Sequence, residues 1–378
     1  MTTPNLTFEP RRLRRARTFL GLSLDSLGES VGASRQFVHQ LESGQREPNE
    51  TMRAALAAAL LVEESFFSAP VHRIAQDQCN FRSLASSRVR DLEQVISHAE
   101  LLSELLQYLE TVLEFPAANF PQISVTELED VDRAAERARV HWGLTLDQPL
   151  TSTIRVAENA GAVVVHFPGV APEIDALSVY SDRPIIIRSS AKESPTRVRF
   201  DMAHEIGHLV MHRPGMVLDH DEREKQAHRF ASAFLLPRKA FMREWPTARR
   251  FDWTAVFALK RHWVVSAQAI IRRAFDLGLI DAAQYRSGNV YISRQGMRRN
   301  EPYEPERAEQ PEALRTALIE LQRAEQLLPK DVARQLGVQP VFLGKLLGIA
   351  IPDLTHADAA TVVNFNARLD WAKAKWSE

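Results

Sequence analysis

Two histidines four residues apart, His204 and His208, with Glu205 beside the first, constrain this 378-residue chain more than any other feature. On a helix the spacing puts both imidazoles on one face, one turn apart, so that a single ion can take both. Glu205 then projects beside that ion, where a carboxylate can take a proton from water. Phe200, Met202, Ala203, Ile206, Leu209, Val210 and Met211 cover the remaining faces with apolar side chains, as a buried helix requires. The fold must bury this helix and bring a further ligand to it. A catalytic zinc takes three protein groups and keeps one position for water.

A second helix is expected over 222–236, after a turn at Pro214 and Gly215. Phe230, Ala231, Phe234 and Leu235 define its apolar face, with Ala227 on that side. Glu224, one turn earlier, faces the same way and is the expected third ligand. Glu222, Asp219 and His220 are the alternatives, read first as solvated turn residues. His212 sits eight residues beyond His204, about 12 Å along a helix, too far to share an ion with both earlier histidines. It is expected to cap the helix end before Pro214. Strand character is confined to 162–167 and to the residues around 184–188, both β-branched runs bounded by Gly, Pro or Ser. The strand 185–188 is expected to be an edge that aligns a substrate backbone. Tyr180 is a candidate oxyanion partner, with a core tyrosine as the plainer reading.

The segment from Thr196 through Phe200 to His208, followed by Glu224 through Ala227 and Phe230 to Pro237, resembles the IrrE/ImmA metallopeptidase family over about 155–290. That family carries RxRFxxAHExGHxxxH and then ExxAxxFAxxxLxP at this separation. The resemblance implies a zincin-like domain in which His204, His208 and Glu224 hold Zn2+ and Glu205 is the general base. The same mixed N/O set also accepts Mn2+. One departure stands out: members carry Asn or Asp four residues after the third ligand, where this chain has His228. His228 either supports a liganding histidine from behind or competes for the ion.

The N-terminal residues 8–68 read as short helices. Ser23 and Ser34 are placed to cap the second and third, and Gly32 makes the turn between those two. Leu27, Val31, Val38 and Leu41 form the hinge core of a helix-turn-helix. The stretch 24–48, ending Leu41-Glu42-Ser43-Gly44 and then Pro48, resembles the Cro/repressor (XRE) class. Its usual Gln at the start of the second helix is Leu24 here. The resemblance implies double-stranded DNA as a partner, read by Ser34, Arg35, Gln36, His39 and Gln40. Arg14 and Arg15, within a run of five arginines from Arg11 to Arg17, are expected to meet phosphates. Two later segments, 253–277 and 330–347, have similar spacing and read first as ordinary helical packing.

Net charge is −1, so any nucleic-acid binding must come from such local patches. The single Cys79 excludes an internal disulfide and a multi-cysteine zinc site, which suits a reducing cytoplasm; it reads as a small buried apolar residue. The start lacks signal-peptide features, and the longest apolar run, 54–62, is too short to span a bilayer. The expected fold is mainly α with a small β-sheet (α+β). Its parts are a helix-turn-helix bundle at 8–68, a helical linker at 85–120 whose long amphipathic helix reads equally as a dimer seam or as a plain core helix, a metallopeptidase domain at 125–290, a polar linker at 294–310, and a C-terminal helical region at 312–350. Together these imply a cytoplasmic DNA-binding regulator, with a homodimer among its forms, that cleaves a cognate repressor protein to control stress, prophage or mobile-element genes. The alternative is a transcription factor or antitoxin-like binder whose metal domain only senses or scaffolds.

Overall fold

The computed structural model describes residues 7–81, 89–167, 176–189, 194–246, 252–298 and 300–349. In chain order the elements are α1 (Pro10–Phe19), α2 (Leu24–Ser30), α3 (Arg35–Glu42), α4 (Glu50–Leu60), β1 (Cys79–Phe81), α5 (Val89–Val112), α6 (Leu128–His141), α7 (Thr153–Asn159), β2 (Val163–Phe167), β3 (Ala176–Val179) and β4 (Ile185–Ser189). Then follow α8 (Pro195–Met211), α9 (His220–Leu235), α10 (Arg238–Glu244), α11 (Trp253–Trp263), α12 (Ala267–Asp276), α13 (Ala282–Arg294), α14 (Ala313–Ala324), α15 (Pro329–Gln335) and α16 (Pro340–Leu347). The protein is α+β, mostly helical around one small mixed sheet. No described helix is long and apolar enough to cross a membrane.

Short polar side chains start many of these helices by accepting orphan backbone N–H groups. Ser23, Ser34, Asn49, Ser152, Asp219, Asp252, Ser266 and Asp281 all do so. The sheet order is β1-β3-β4-β2, with β2 and β4 parallel and the other two pairs antiparallel. Two strands therefore join the expected pair. β1 and β3 span only three and four residues, and they become strands by pairing with neighbours rather than from their own β-branched content.

Successive side chains of a strand point to opposite faces, and here both faces are covered. Val163, Val165, Phe167, Leu177, Val179, Ile185 and Ile187 enter a core shared with α1–α5 and α14–α16. Val164 and Ile186 enter a second core built by α6–α13. The C-terminal helices thus return to the N-terminal side of the sheet. The turn before α16 docks there through Glu63 N–H to the Gly337 carbonyl (2.7 Å) and Gln339 N–H to the Leu61 carbonyl (2.9 Å).

α5 follows the second of its two readings, that of a core helix. Its Val95, Leu102, Leu105 and Leu109 are fully buried within the chain, against α1 among other partners, so that face is not open to a second copy. Near its middle, His98 sits at an aromatic junction. The ring of Phe19 from α1 stacks on Phe167 of β2 (5.6 Å) and touches Phe342 of α16 (4.8 Å) and His98 (5.3 Å). His98 Nε2 donates to the Leu346 carbonyl at 2.6 Å.

Burial pushes the His98 imidazole down to about 4, against the smaller opposing effect of the Leu346 carbonyl. Between that value and the unfolded value near 6.5, the unfolded chain binds a proton that the folded chain does not. The stability contributed by neutral His98 is complete above about pH 6.5 and falls away towards pH 4, by roughly 3 kcal/mol in total. Urea midpoints measured from pH 7.5 to 4 should show a shallower acid loss in His98→Gln than in the wild type; equal slopes would contradict the assignment.

Candidate metal centre

α8 begins with Pro195 at its first turn and carries His204, Glu205 and His208 in its buried second half, each at most 1% exposed. Gly207 sets the distance to the next helix. A Cβ built there would lie 2.9 Å from the Phe230 ring, so only a glycine lets α9 come this close. α9 then brings Glu224 to the two imidazoles. His204 Nε2 and His208 Nε2 are 3.1 Å apart, and the Glu224 carboxylate oxygens lie 3.4 Å from the first and 3.2 Å from the second.

These three residues form the metal-competent group found among the described residues. Their chemistry fits a divalent ion: two imidazole nitrogens and a carboxylate oxygen are a common catalytic zinc set. The separations fit as well, since ligands about 2.0 Å from a tetrahedral ion stand about 3.3 Å from each other. Glu222, Asp219 and His220 do not join this group. His228 is exposed on α9, with its ring centroid 4.8 Å from that of His204 and 5.6 Å from that of Phe200.

His212 ends α8, as its sequence position suggests, yet its ring has a further role. Its Nδ1 lies 2.8 Å from His208 Nδ1, and its Nε2 lies 3.0 Å from Gln226 Oε1 on α9. Burial pushes its pKa down to about 3, so the ring is neutral. The HxxxH spacing from His208 was the available signal for this contact; Gln226 gave none.

A cleft of about 480 Å³ opens beside the centre, lined by His208, Glu224, His220, Arg223, Met216 and the β1 residues Cys79 and Asn80. Cys79 is buried, and burial pushes its thiol up to about 12. β4 is not the edge beside this cleft. It lies between β3 and β2, so both its hydrogen-bonding sides are occupied, and β1 closes the sheet on the cleft side. Tyr180 lines a different cavity, of about 620 Å³, with Arg183 and Pro214.

The segment expected as a polar linker holds α8 in place. Glu304 accepts from Thr196 N–H (3.2 Å) and Oγ1 (2.8 Å) at the start of α8, and from the buried Lys260 ammonium (2.5 Å). Glu301 bonds the same ammonium (2.9 Å) and Ala267 N–H at the start of α12 (2.7 Å). Glu309 pairs with Arg199 of α8 and accepts Thr153 and Ile154 N–H at the start of α7 (2.7 and 2.9 Å). Each glutamate thus neutralises a buried cation and satisfies a helix N-terminus.

At the N-terminal end, Ser34 caps α3 and Arg35, Gln36 and His39 are exposed, with Gln40 partly so. A Cβ at Gly28 would lie 2.6 Å from the Ala33 carbonyl, which explains the glycine in α2. Arg14 is exposed but ion-paired with Glu93 (2.5 Å). Arg15 is a correction: 4% exposed and held by Glu100, Glu104 and the His72 carbonyl, it has no surface to offer a phosphate. Arg12 and Arg17 are likewise spent on Glu104 and Glu42. The two later segments are packing elements: Lys260 and Arg273 of α11 and α12 are buried, and α16 buries Phe342, Leu343 and Leu346.

Paired imidazoles on a buried helix, faced by a carboxylate from the next, make a group that can hold a metal ion. Residues 157–275 match the Peptidase_M78 family model, the IrrE N-terminal-like domain, and that family implies a divalent metal. No curated protein matches the chain. Zinc added to chelator-stripped protein should raise its melting temperature. Glu224→Ala should weaken zinc binding by more than the roughly 10–100-fold typical of a supporting residue; calorimetry showing unchanged affinity would exclude Glu224 as a ligand.

Proposed function

We propose that this chain is a DNA-binding regulator with a zinc-dependent endopeptidase unit that cuts a cognate repressor protein. The observation that carries the reading is the buried meeting of His204, His208 and Glu224 beside Glu205, at the wall of an open cleft. In this reading the three donors hold the zinc, which when bound supplies a Lewis acid for the scissile carbonyl and lowers the pKa of water. Glu205 takes the proton of the attacking water and delivers it to the departing amine, so one carboxylate serves both halves of the reaction. Burial of Glu205 within α8 keeps that proton from being lost to bulk solvent. The cleft accepts a peptide segment.

The N-terminal helix pair supports the DNA-binding half. Gln36 and Arg35 sit at the exposed start of α3, where each can make two hydrogen bonds to a base edge. With Arg15 buried, phosphate contacts fall to residues around α3 and to the exposed Arg11 and Arg14. The helices then bring the peptidase unit to an operator, where a repressor substrate is concentrated. A cytoplasmic setting is part of this reading.

New protein N-termini compared between cells expressing wild type and Glu205→Gln, with and without DNA damage, test the peptidase half. Termini that depend on Glu205 should appear and name the substrate. Their absence, with both proteins metal-loaded and DNA-bound, would leave a regulator that cuts nothing. For the DNA half, Arg35→Ala should lose about 1–3 kcal/mol of operator affinity in a gel-shift titration at fixed salt, and an unchanged affinity would remove Arg35 from the reading surface.

A further inference from the structure

Three side chains form a hydrogen-bonded file that begins on α9 and ends at the metal donors. Gln226 Oε1 lies 3.0 Å from His212 Nε2; His212 Nδ1 lies 2.8 Å from His208 Nδ1; His208 Nε2 faces His204 Nε2 at 3.1 Å and Glu224 at 3.2 Å. Gln226, His212 and His208 are 3%, 1% and 1% exposed, so water does not substitute for any of these contacts.

The direction of the file follows from what each atom can do. An amide oxygen only accepts, so His212 must carry its proton on Nε2 to meet Gln226. A neutral imidazole has one N–H, which leaves His212 Nδ1 with a lone pair. Across 2.8 Å that lone pair requires a proton on His208 Nδ1. His208 Nε2 is then bare and presents its lone pair beside Glu224. Reversing the amide reverses every step: Gln226 would donate, His212 would hold its proton on Nδ1, and His208 Nε2 would carry the hydrogen that blocks coordination.

We infer that His212 and Gln226 are positioning residues that fix the tautomer of His208, with Gln226 setting the polarity of the whole file. The role rests on the metal-binding reading of His208 and goes beyond it by assigning work to two residues that touch no ion. It also accounts for a buried glutamine on the apolar side of α9. An aliphatic residue there would pack equally well against its neighbours but would give His212 no acceptor, leaving its two tautomers to compete.

A substitution pair separates polarity from packing. Gln226→Glu keeps an acceptor at the end of the file, whereas Gln226→Leu keeps bulk and removes it. In zinc titrations against a competing chelator, Gln226→Leu and His212→Leu should bind about 10–100-fold more weakly than wild type, while Gln226→Glu stays within about threefold. A purely structural role would give the opposite order, because a buried carboxylate is worse tolerated than a leucine. Histidine 15N NMR of the zinc-free wild type should show His212 protonated at Nε2, a measurement that needs no variant to fold and no metal to bind. His212 protonated at Nδ1, or Gln226→Glu as weak as Gln226→Leu, would overturn the inference. Wild-type protein that binds no zinc overturns the metal reading itself, whereas tight binding with equal affinities across the series overturns this inference alone.

Discussion

α9 rests on α8 over Gly207, and the donor triangle depends on that approach. The ring of Phe230 occupies the space where any Cβ at position 207 would stand, so the distance between the helices is set by one missing methyl group. Glu224 lies upstream of Phe230 on α9, while His204 and His208 flank Gly207 on α8. A side chain at 207 would have to push Phe230 and its helix back, and with them the carboxylate that faces the imidazoles. The same contact aligns Gln226 with His212, so the donors and the file behind them are positioned by one interface. Apolar burial around it, from Ile206, Val210, Ala231, Phe234 and others, supplies the driving force.

The sheet joins this centre to the rest of the chain. One face packs on α8 and its neighbours, and the other packs on the N-terminal and C-terminal helices. Phe19 of the first helix stacks directly on Phe167 of the sheet, with α16 wedged beside it. A displacement of the N-terminal helices therefore cannot be absorbed by a loose tether. It must repack an aromatic junction that belongs to the same core as β2 and β4. Interiors packed this closely respond to such changes by switching between arrangements rather than by yielding gradually.

What the sequence makes legible is what depends on near neighbours along the chain. The i, i+4 rule brings His204 beside His208, helical facing turns Glu224 towards them, and β-branched runs mark β2 and β4. The α2–α3 turn is readable from its capping serine and its glycine. Long-range pairing is where local reading stops. β1 and β3 are strands because a partner aligns them, and Arg15 is buried because Glu100 and Glu104 arrive from a helix about 85 residues away. Measured along the axis from His204, His212 is too distant to matter; measured from His208, it is one turn away and in contact. The edge expected at β4 fails for the same reason, since strand order is a property of the whole sheet.

The glutamates between α13 and α14 show the limit most plainly. A stretch rich in Glu and Pro has the composition of a solvated connector, yet Glu301, Glu304 and Glu309 seat themselves on the starts of α12, α8 and α7. Arg199 and Lys260, both inside the family-matched span, find their counter-charges beyond its end at residue 275. The unit of homology and the unit of electrostatic neutrality therefore have different boundaries. A module cut out by its sequence signature alone would arrive with two buried cations unanswered and with the starts of α8 and α12 stripped of the carboxylates seated on them, so the unit that folds has to extend through Glu309.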